Sequence, residues 1–247
     1  WDDFLRDLEE FRPDVLVLNS TTATLTADLE TCRLAKGRLP EIVTMGKGET
    51  LVVTAIHALR DHPELDLVLP NEGEEAVEEL AAGKELCAVK GIHFRGQLLE
   101  QFGEEPAPTL VEPEGRSQIS ARKRKRSPEE RVAVLSPELP LAERVFFTGK
   151  RDLQQDLDSL PFPARHLLKN EVYVSPETGN PLTVVHGNRG CPAKCVFCPA
   201  GTLTDFTVRQ RSPENIVAEL RECVEHYNIR EFLFHGDTFT INKRWLL

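Results

Sequence analysis

The chain has 247 residues, and forty Asp and Glu against thirty Lys and Arg give it a net charge of −10. A hydrophobic content of 40% with 28% charged residues is that of a folded globular protein, and excludes a disordered acidic tail or a collagen-like repeat. No stretch reaches the roughly 20 apolar residues of a bilayer span, and Trp1-Asp2-Asp3-Phe4 has neither the basic nor the apolar part of a signal peptide.

From Pro13 to Phe94 strand and helix patterns alternate. Val15-Leu16-Val17-Leu18 is a continuous apolar run, as expected of a parallel strand buried on both faces. Leu25, Leu29, Cys32 and Ala35 then recur at helical spacing. Glu41-Ile42-Val43-Thr44 reads as a second strand and Leu51, Ala55, Ala58 and Leu59 as a second helix. Leu65, Leu67, Val68 and Leu69 form a third strand, and Ala76, Val77, Leu80 and Ala81 a third helix stopped at Gly83. Ile92-His93-Phe94 closes the series, turning at Gly96. This order predicts an open, doubly wound α/β domain of Rossmann-like type over residues 1–101. In such sheets ligands bind beyond the carboxyl ends of the strands. There the sequence places Asn19-Ser20-Thr21-Thr22, Met45-Gly46-Lys47-Gly48 and Asn71-Glu72-Gly73-Glu74-Glu75. Ordinary strand-to-helix turns have the same composition, and no G-x-G-x-x-G fingerprint supports a nicotinamide site.

Residues 102–150 lose the periodicity. Prolines 106, 108, 113, 128, 137 and 140 recur between charges, which reads as a linker or variable insertion. Arg122-Lys123-Arg124-Lys125-Arg126 is a five-residue basic run. A solvated linker accounts for it, and the net charge of −10 argues against a mainly nucleic-acid-binding protein. Order returns over residues 151–247. Leu182-Thr183-Val184-Val185-His186 is a strand, Ser212 caps a helix with Pro213 in its first turn, and Glu231-Phe232-Leu233-Phe234-His235 is the next strand.

Six cysteines are present: Cys32, Cys87, Cys191, Cys195, Cys198 and Cys223. Cys32, Cys87 and Cys223 stand alone in helical or strand-like surroundings and read as small core residues. The set does not resemble a secreted disulfide framework, so a reducing, cytoplasmic location is expected. Cys191-x3-Cys195-x2-Cys198 is different. Pro192 and Pro199 flank it, with Gly190 and Gly201 outside them, which favours a wrapped loop over an uninterrupted helix. Three convergent thiolates call for a cation, and soft sulfur suits an iron–sulfur cluster or zinc. Zinc in a structural site needs a fourth protein ligand, for which His186 is the candidate; a loop without metal is the remaining option.

The spacing C-x3-C-x2-C, with Phe197 before the third cysteine, resembles the signature of the radical S-adenosylmethionine (SAM) superfamily. So do Arg209-Gln210-Arg211-Ser212-Pro213-Glu214-Asn215 and Phe234-His235-Gly236-Asp237-Thr238-Phe239-Thr240. The first half is similar to the cobalamin (B12)-binding domain of one subclass: Asn71-Glu72-Gly73-Glu74-Glu75 resembles its Gly-Glu-Gly-Glu-Glu turn and Ser20-Thr21-Thr22 its Ser/Thr-rich loop. Asp156-Leu157-Asp158-Ser159-Leu160-Pro161-Phe162-Pro163-Ala164-Arg165 is similar to its interdomain segment. Two departures stand out. Gly46-Lys47 replaces the usual Gly-Gly, and no Asp-x-His-x-x-Gly supplies a histidine to cobalt.

The resemblance implies a cobalamin-type α/β domain followed by the start of a radical SAM partial TIM barrel. It implies that Cys191, Cys195 and Cys198 ligate a [4Fe–4S] cluster. Phe197, Gly236 and Asp237 would contact SAM, and Ser20, Thr21, Thr22, Gly46, Glu72, Gly73 and Glu74 would contact cobalamin. The implied activity is reductive cleavage of SAM to a 5′-deoxyadenosyl radical. Methyl transfer or another radical reaction at an unactivated carbon of a small-molecule substrate would follow, with electrons from a flavodoxin or ferredoxin. The alternative is a zinc- or cobalamin-binding module without radical chemistry. Only 49 residues (247 − 198) follow the last cysteine of the motif, and a full barrel needs about 250. The chain therefore reads as a fragment of a longer enzyme, inactive alone.

Overall fold

The computed structural model describes residues 1–105, 109–111, 132–135, 137–204 and 206–247. The basic run 122–126 lies outside them. The chain divides into two compact units, Trp1–Asp152 and Leu153–Leu247.

The first unit begins with α1 (Asp2–Phe11), β1 (Val15–Asn19), α2 (Leu25–Arg38), β2 (Val43–Lys47), α3 (Glu49–Asp61), β3 (Leu67–Val68) and α4 (Glu74–Ala81). It continues through β4 (His93–Arg95), α5 (Gln97–Phe102), β5 (Thr109–Val111), β6 (Val132–Leu135) and β7 (Val145–Phe147). One sheet runs in the order β1-β2-β3-β4-β7-β6-β5. β1, β2 and β3 are parallel, so their carboxyl ends share one edge. The two faces of the sheet divide the core by strand alternation. Val43, Met45, Leu67 and Leu69 pack with Ala76 of α4, Leu98 and Leu99 of α5, and Phe94 and Phe146. Val68 packs with Leu29 and Cys32 of α2 and Leu51, Ala55 and Leu59 of α3.

Three expectations change. β1 is an edge strand rather than one buried on both faces: Val15 is 42% and Val17 43% exposed. β4 pairs antiparallel with β3, so the sheet is mixed. The chain leaves α4 through a 3-10 turn at Leu86–Ala88 and reverses at Gly91 (φ +87°), entering β4 from the opposite end. Residues 102–150 are not only a linker, because β7 pairs antiparallel with both β4 and β6 and extends the sheet. Such short strands carry too little alternation to be read from sequence.

The second unit contains β8 (Leu182–His186), β9 (Asn188–Arg189), α6 (Ala200–Leu203), β10 (Arg209–Gln210), α7 (Pro213–Tyr227), β11 (Glu231–His235) and α8 (Lys243–Leu246). β8 and β11 are parallel, with His186 opposite His235, and α7 is the crossover between them, giving one βαβ unit. The 156–165 segment lies within this unit. The carboxylate of Asp158 accepts from the Ser212 N–H at 2.9 Å at the start of α7, and Arg211 sits over the Phe162 ring at 5.5 Å. Arg165 is buried against Glu219 of α7 at 2.6 Å, and Arg211 reaches the other oxygen of that carboxylate at 2.5 Å.

Candidate functional site

The cysteine loop leaves the carboxyl end of β8, where parallel strands place ligand-binding loops. Its base is tied by the antiparallel pair β9–β10, which sets Arg189 opposite Arg209. Cys191 is half-buried, Cys195 and Cys198 are exposed, and all three thiols are free. Residues 191–195 are irregular. The Cys198 N–H closes a turn on the Cys195 carbonyl at 3.2 Å, and α6 starts after Pro199. The expected loop, rather than a helix, is therefore present. Val196 and Phe197 project into solvent, Phe197 at 87% exposure.

Among the described residues no group of three or more His, Cys, Asp or Glu is drawn together closely enough to hold a metal ion. The fit to a metal group therefore rests on donor chemistry. Three free thiols lie within eight residues on one exposed loop, a soft set suited to iron–sulfur or zinc. His186 does not join that set. Its Nδ1 lies 3.4 Å from Nδ1 of His235 on the neighbouring strand. Partial burial first, and the His235 ring second, hold the pKa of His186 below the ordinary histidine value.

Gly236 and Asp237 follow β11 and pack against the base of the loop. A Cβ on Gly236 would stand 2.0 Å from Oδ1 of Asn188. Asn188 is buried and donates to the Thr238 carbonyl at 2.8 Å. Asp237 Oδ2 accepts from the Gly190 N–H at 2.7 Å and faces the Thr204 hydroxyl at 3.4 Å. Sequence reading did not single out Asn188 or Thr204, and it marked Arg209 only as the first residue of the 209–215 stretch that resembles the superfamily. Arg209 is buried and donates to the Gln154 carbonyl at 2.7 Å and the Thr204 carbonyl at 3.2 Å. That resemblance, in a stretch leading to the helix start at Ser212, is the clue the sequence offers for Arg209.

In the first unit a cavity of ≈ 300 Å³ opens at the carboxyl edge of β1 and β2, lined by Ser20, Thr21, Thr22, Ala23, Glu49 and Thr50. Thr22 and Thr50 share a hydrogen bond of 2.7 Å across it. The Ser20 N–H donates to the Lys47 carbonyl at 2.8 Å. Gly48 adopts φ +113°, and a Cβ there would lie 2.0 Å from the Ser20 carbonyl oxygen, so only glycine lets the two loops meet. Of the residues expected to bind cobalamin, Ser20, Thr21 and Thr22 come together here. Gly46 does not line the cavity; a Cβ on it would meet Leu51 at 2.5 Å, which makes it a packing position under α3. Glu72, Gly73 and Glu74 also lie outside the lining, at the start of α4. Glu49 and Thr50 were not anticipated, because they face the cavity only through the pairing of β1 with β2.

Residues 185–246 match the family model of the radical SAM superfamily. An uncharacterized methyltransferase of Pyrococcus horikoshii is 26% identical over 98% of this chain and 43% of its own length. The cytidylyl-2-hydroxyethylphosphonate methyltransferase of Streptomyces wedmorensis is 28% identical over 97% of this chain and 42% of its own length. The chain thus spans less than half of these relatives. Among solved structures, the cobalamin-dependent S-adenosylmethionine radical enzyme OxsB superposes with a TM-score of 0.60 at 14% identity, covering 96% of this chain and 27% of that one. The radical methyltransferase TsrM of Kitasatospora setae gives 0.55 at 14%, covering 97% and 41%. At such identities these likenesses establish a shared fold.

Proposed function

We propose that this chain belongs to a cobalamin-dependent radical SAM methyltransferase, with Cys191, Cys195 and Cys198 as the protein ligands of a [4Fe–4S] cluster. The observation that carries the reading is the loop of three free thiols at the carboxyl end of β8, inside the segment that matches the superfamily. A cluster held by three thiolates leaves one iron for SAM and supplies the electron that cleaves it, while cobalamin supplies the methyl carrier. The protein's share is position and shielding. β8 and β11 present the loop and the Gly236-Asp237 turn at one strand edge, and Phe197 offers an exposed ring to the adenine.

In the first unit, the hydroxyls of Thr21, Thr22 and Thr50 suit the amide- and phosphate-bearing arm of a corrinoid. A cavity of ≈ 300 Å³ takes one arm and not the whole cofactor. Gly46, Gly73 and the adjoining Glu72 and Glu74 then shape the strand edge around it. We further propose a small-molecule substrate, a flavodoxin- or ferredoxin-type electron donor and a reducing cytoplasmic setting, which the free thiols suit. No helix among the described residues is long and apolar enough to cross a membrane.

Anaerobic reconstitution with ferrous iron and sulfide tests the cluster. A brown chromophore with about four irons per chain, lost in the triple Cys→Ala variant, is expected. One tightly held zinc with no chromophore would overturn it. For cobalamin, binding of hydroxocobalamin that weakens in Thr22→Trp is expected, and binding indifferent to that substitution would displace the cofactor from this cavity.

A further inference from the structure

We propose that Asp237 is a positioning residue that fixes the start of the cysteine loop before any cofactor arrives. This rests on the reading of that loop as the cluster loop. Gly190 immediately precedes Cys191, and both of its backbone polar groups are held from the turn after β11. Its N–H donates to Asp237 Oδ2 at 2.7 Å, and its carbonyl accepts from the Thr238 hydroxyl at 3.3 Å. Gly190 has φ +92°, and a Cβ there would stand 2.2 Å from the Thr207 carbonyl oxygen. The start of the loop is therefore pressed against its return, where only glycine fits. At the far end, the single proton of the Thr204 hydroxyl is shared between the Ala200 carbonyl at 2.9 Å and Asp237 Oδ2 at 3.4 Å. The Thr204 carbonyl is held by Arg209 at 3.2 Å. One carboxylate from the turn after β11 thus stands at both ends of the 190–204 loop.

A charged acceptor makes the stronger kind of backbone hydrogen bond. The turn that bears it cannot shift sideways, because Gly236 is packed on Asn188 and Asn188 holds Thr238. Three ligands on a short loop assemble a cluster efficiently only if the loop is held near its bound shape beforehand, so that less ordering accompanies ligation. Asp237 does this through Gly190, one residue from the first thiol.

The test is amide hydrogen exchange on the metal-free chain, with α7 amides as an internal measure of global folding. Asp237→Ala is expected to speed exchange at Gly190 by roughly tenfold or more while α7 stays protected. Asp237→Asn, which keeps an acceptor without the charge, should fall between the parent and the alanine variant. If the alanine variant does not fold, Asp237→Ser, polar but too short to reach Gly190, gives the same comparison. In reconstitution, Asp237→Ala should take up iron several-fold more slowly than the parent. Unchanged exchange at Gly190, or equal iron uptake, would overturn the proposal. A parent chain that binds no iron would instead sink the cluster reading, and the exchange data would still decide whether Asp237 holds the loop.

Discussion

In residues 1–152 the buried interior is chiefly Leu, Ile, Val, Ala and Phe, gathered on the two faces of one sheet. In residues 153–247 the apolar interior is thin, with Leu157, Val185, Ile216, Cys223 and Ile229, and beside it Arg165, Asn188, Arg209 and Glu219 are equally buried. Apolar burial is non-directional and forgiving of small shifts. A buried charge is tolerated only where its partners stand in place. Residues 1–152 also bury Thr44, Asp66, His93, Arg95 and Thr148, but beside a far larger apolar core, so the unit that carries the cysteine loop leans more heavily on individual hydrogen bonds. Such bonds hold loops in defined positions in a way that a greasy face cannot.

Removing the centre of the polar network is the strongest challenge to that contrast. The side chains of Arg165 and Glu219 are 3% and 1% exposed. Glu219→Ala would strand Arg165 without its counter-ion, at a cost of about 3–5 kcal/mol. Trp245 reports on the same unit, since its indole N–H donates to the Arg211 carbonyl at 2.6 Å. Its fluorescence in a urea titration, read in a Trp1→Phe background so that the first unit does not contribute, is expected to show the loss. A change under about 1 kcal/mol would mean that the network is ornament and apolar packing carries this unit as well.

The matching change in the first unit is Leu59→Ala on α3. Leu59 is fully buried, and a cavity at such a site costs about 2–5 kcal/mol. Circular dichroism should record it, while the Trp245 transition stays where it was. Loss in both transitions together would show that the two units unfold as one.

His93 sharpens the comparison through pH. It is buried on β4, stacked on Phe147 with ring centroids 4.2 Å apart, and burial pushes its pKa down from 6.5 to about 4. Its folded form therefore resists protonation that the unfolded chain accepts. The stability it protects is complete above pH 6.5 and is lost as pH falls toward 4, by about 3 kcal/mol in all. His93→Phe should flatten that acid limb. A limb that survives the substitution would assign the loss to other groups.

The same contrast explains what the sequence reveals. The elements of the first unit are legible wherever an apolar run or a 3.6-residue period is long enough, as in α2 and α3. The direction of β4 is not legible, because Gly91 and the turn at Leu86–Ala88 set it in three dimensions. In the second unit the three cysteines are legible because their spacing is itself the chemistry. Cys32 and Cys223 are core residues as their surroundings indicate, both fully buried, and burial pushes the Cys32 thiol up to about 12. The tie between Gly190 and Asp237 spans 47 positions and leaves no periodic trace. Gly236 and Asp237 stand out in the sequence as candidate SAM contacts, whereas their packing and bonding to the loop are visible only in the fold. Glu49 and Thr50 escape for the same reason, since they meet Ser20 only once β1 and β2 have paired.

The smallest expected effect lies at the start of α7. Ser212 has extended backbone, its hydroxyl accepts from the Asn215 N–H at 3.1 Å, and Pro213 occupies the first turn. This is a helix start readable from sequence, yet the Ser212 N–H is also claimed by Asp158 at 2.9 Å, from the segment that carries Arg165. Ser212→Ala removes only the hydroxyl and leaves the backbone donor to Asp158, so it should cost about 1 kcal/mol in the Trp245 transition. Asp158→Ala removes the second tie and leaves the cap. If the two losses simply add, cap and segment are independent supports of α7. If the double variant loses clearly more or less than the sum, the 156–165 segment and the helix start act as one polar unit, as the Arg165–Glu219–Arg211 network leads one to expect.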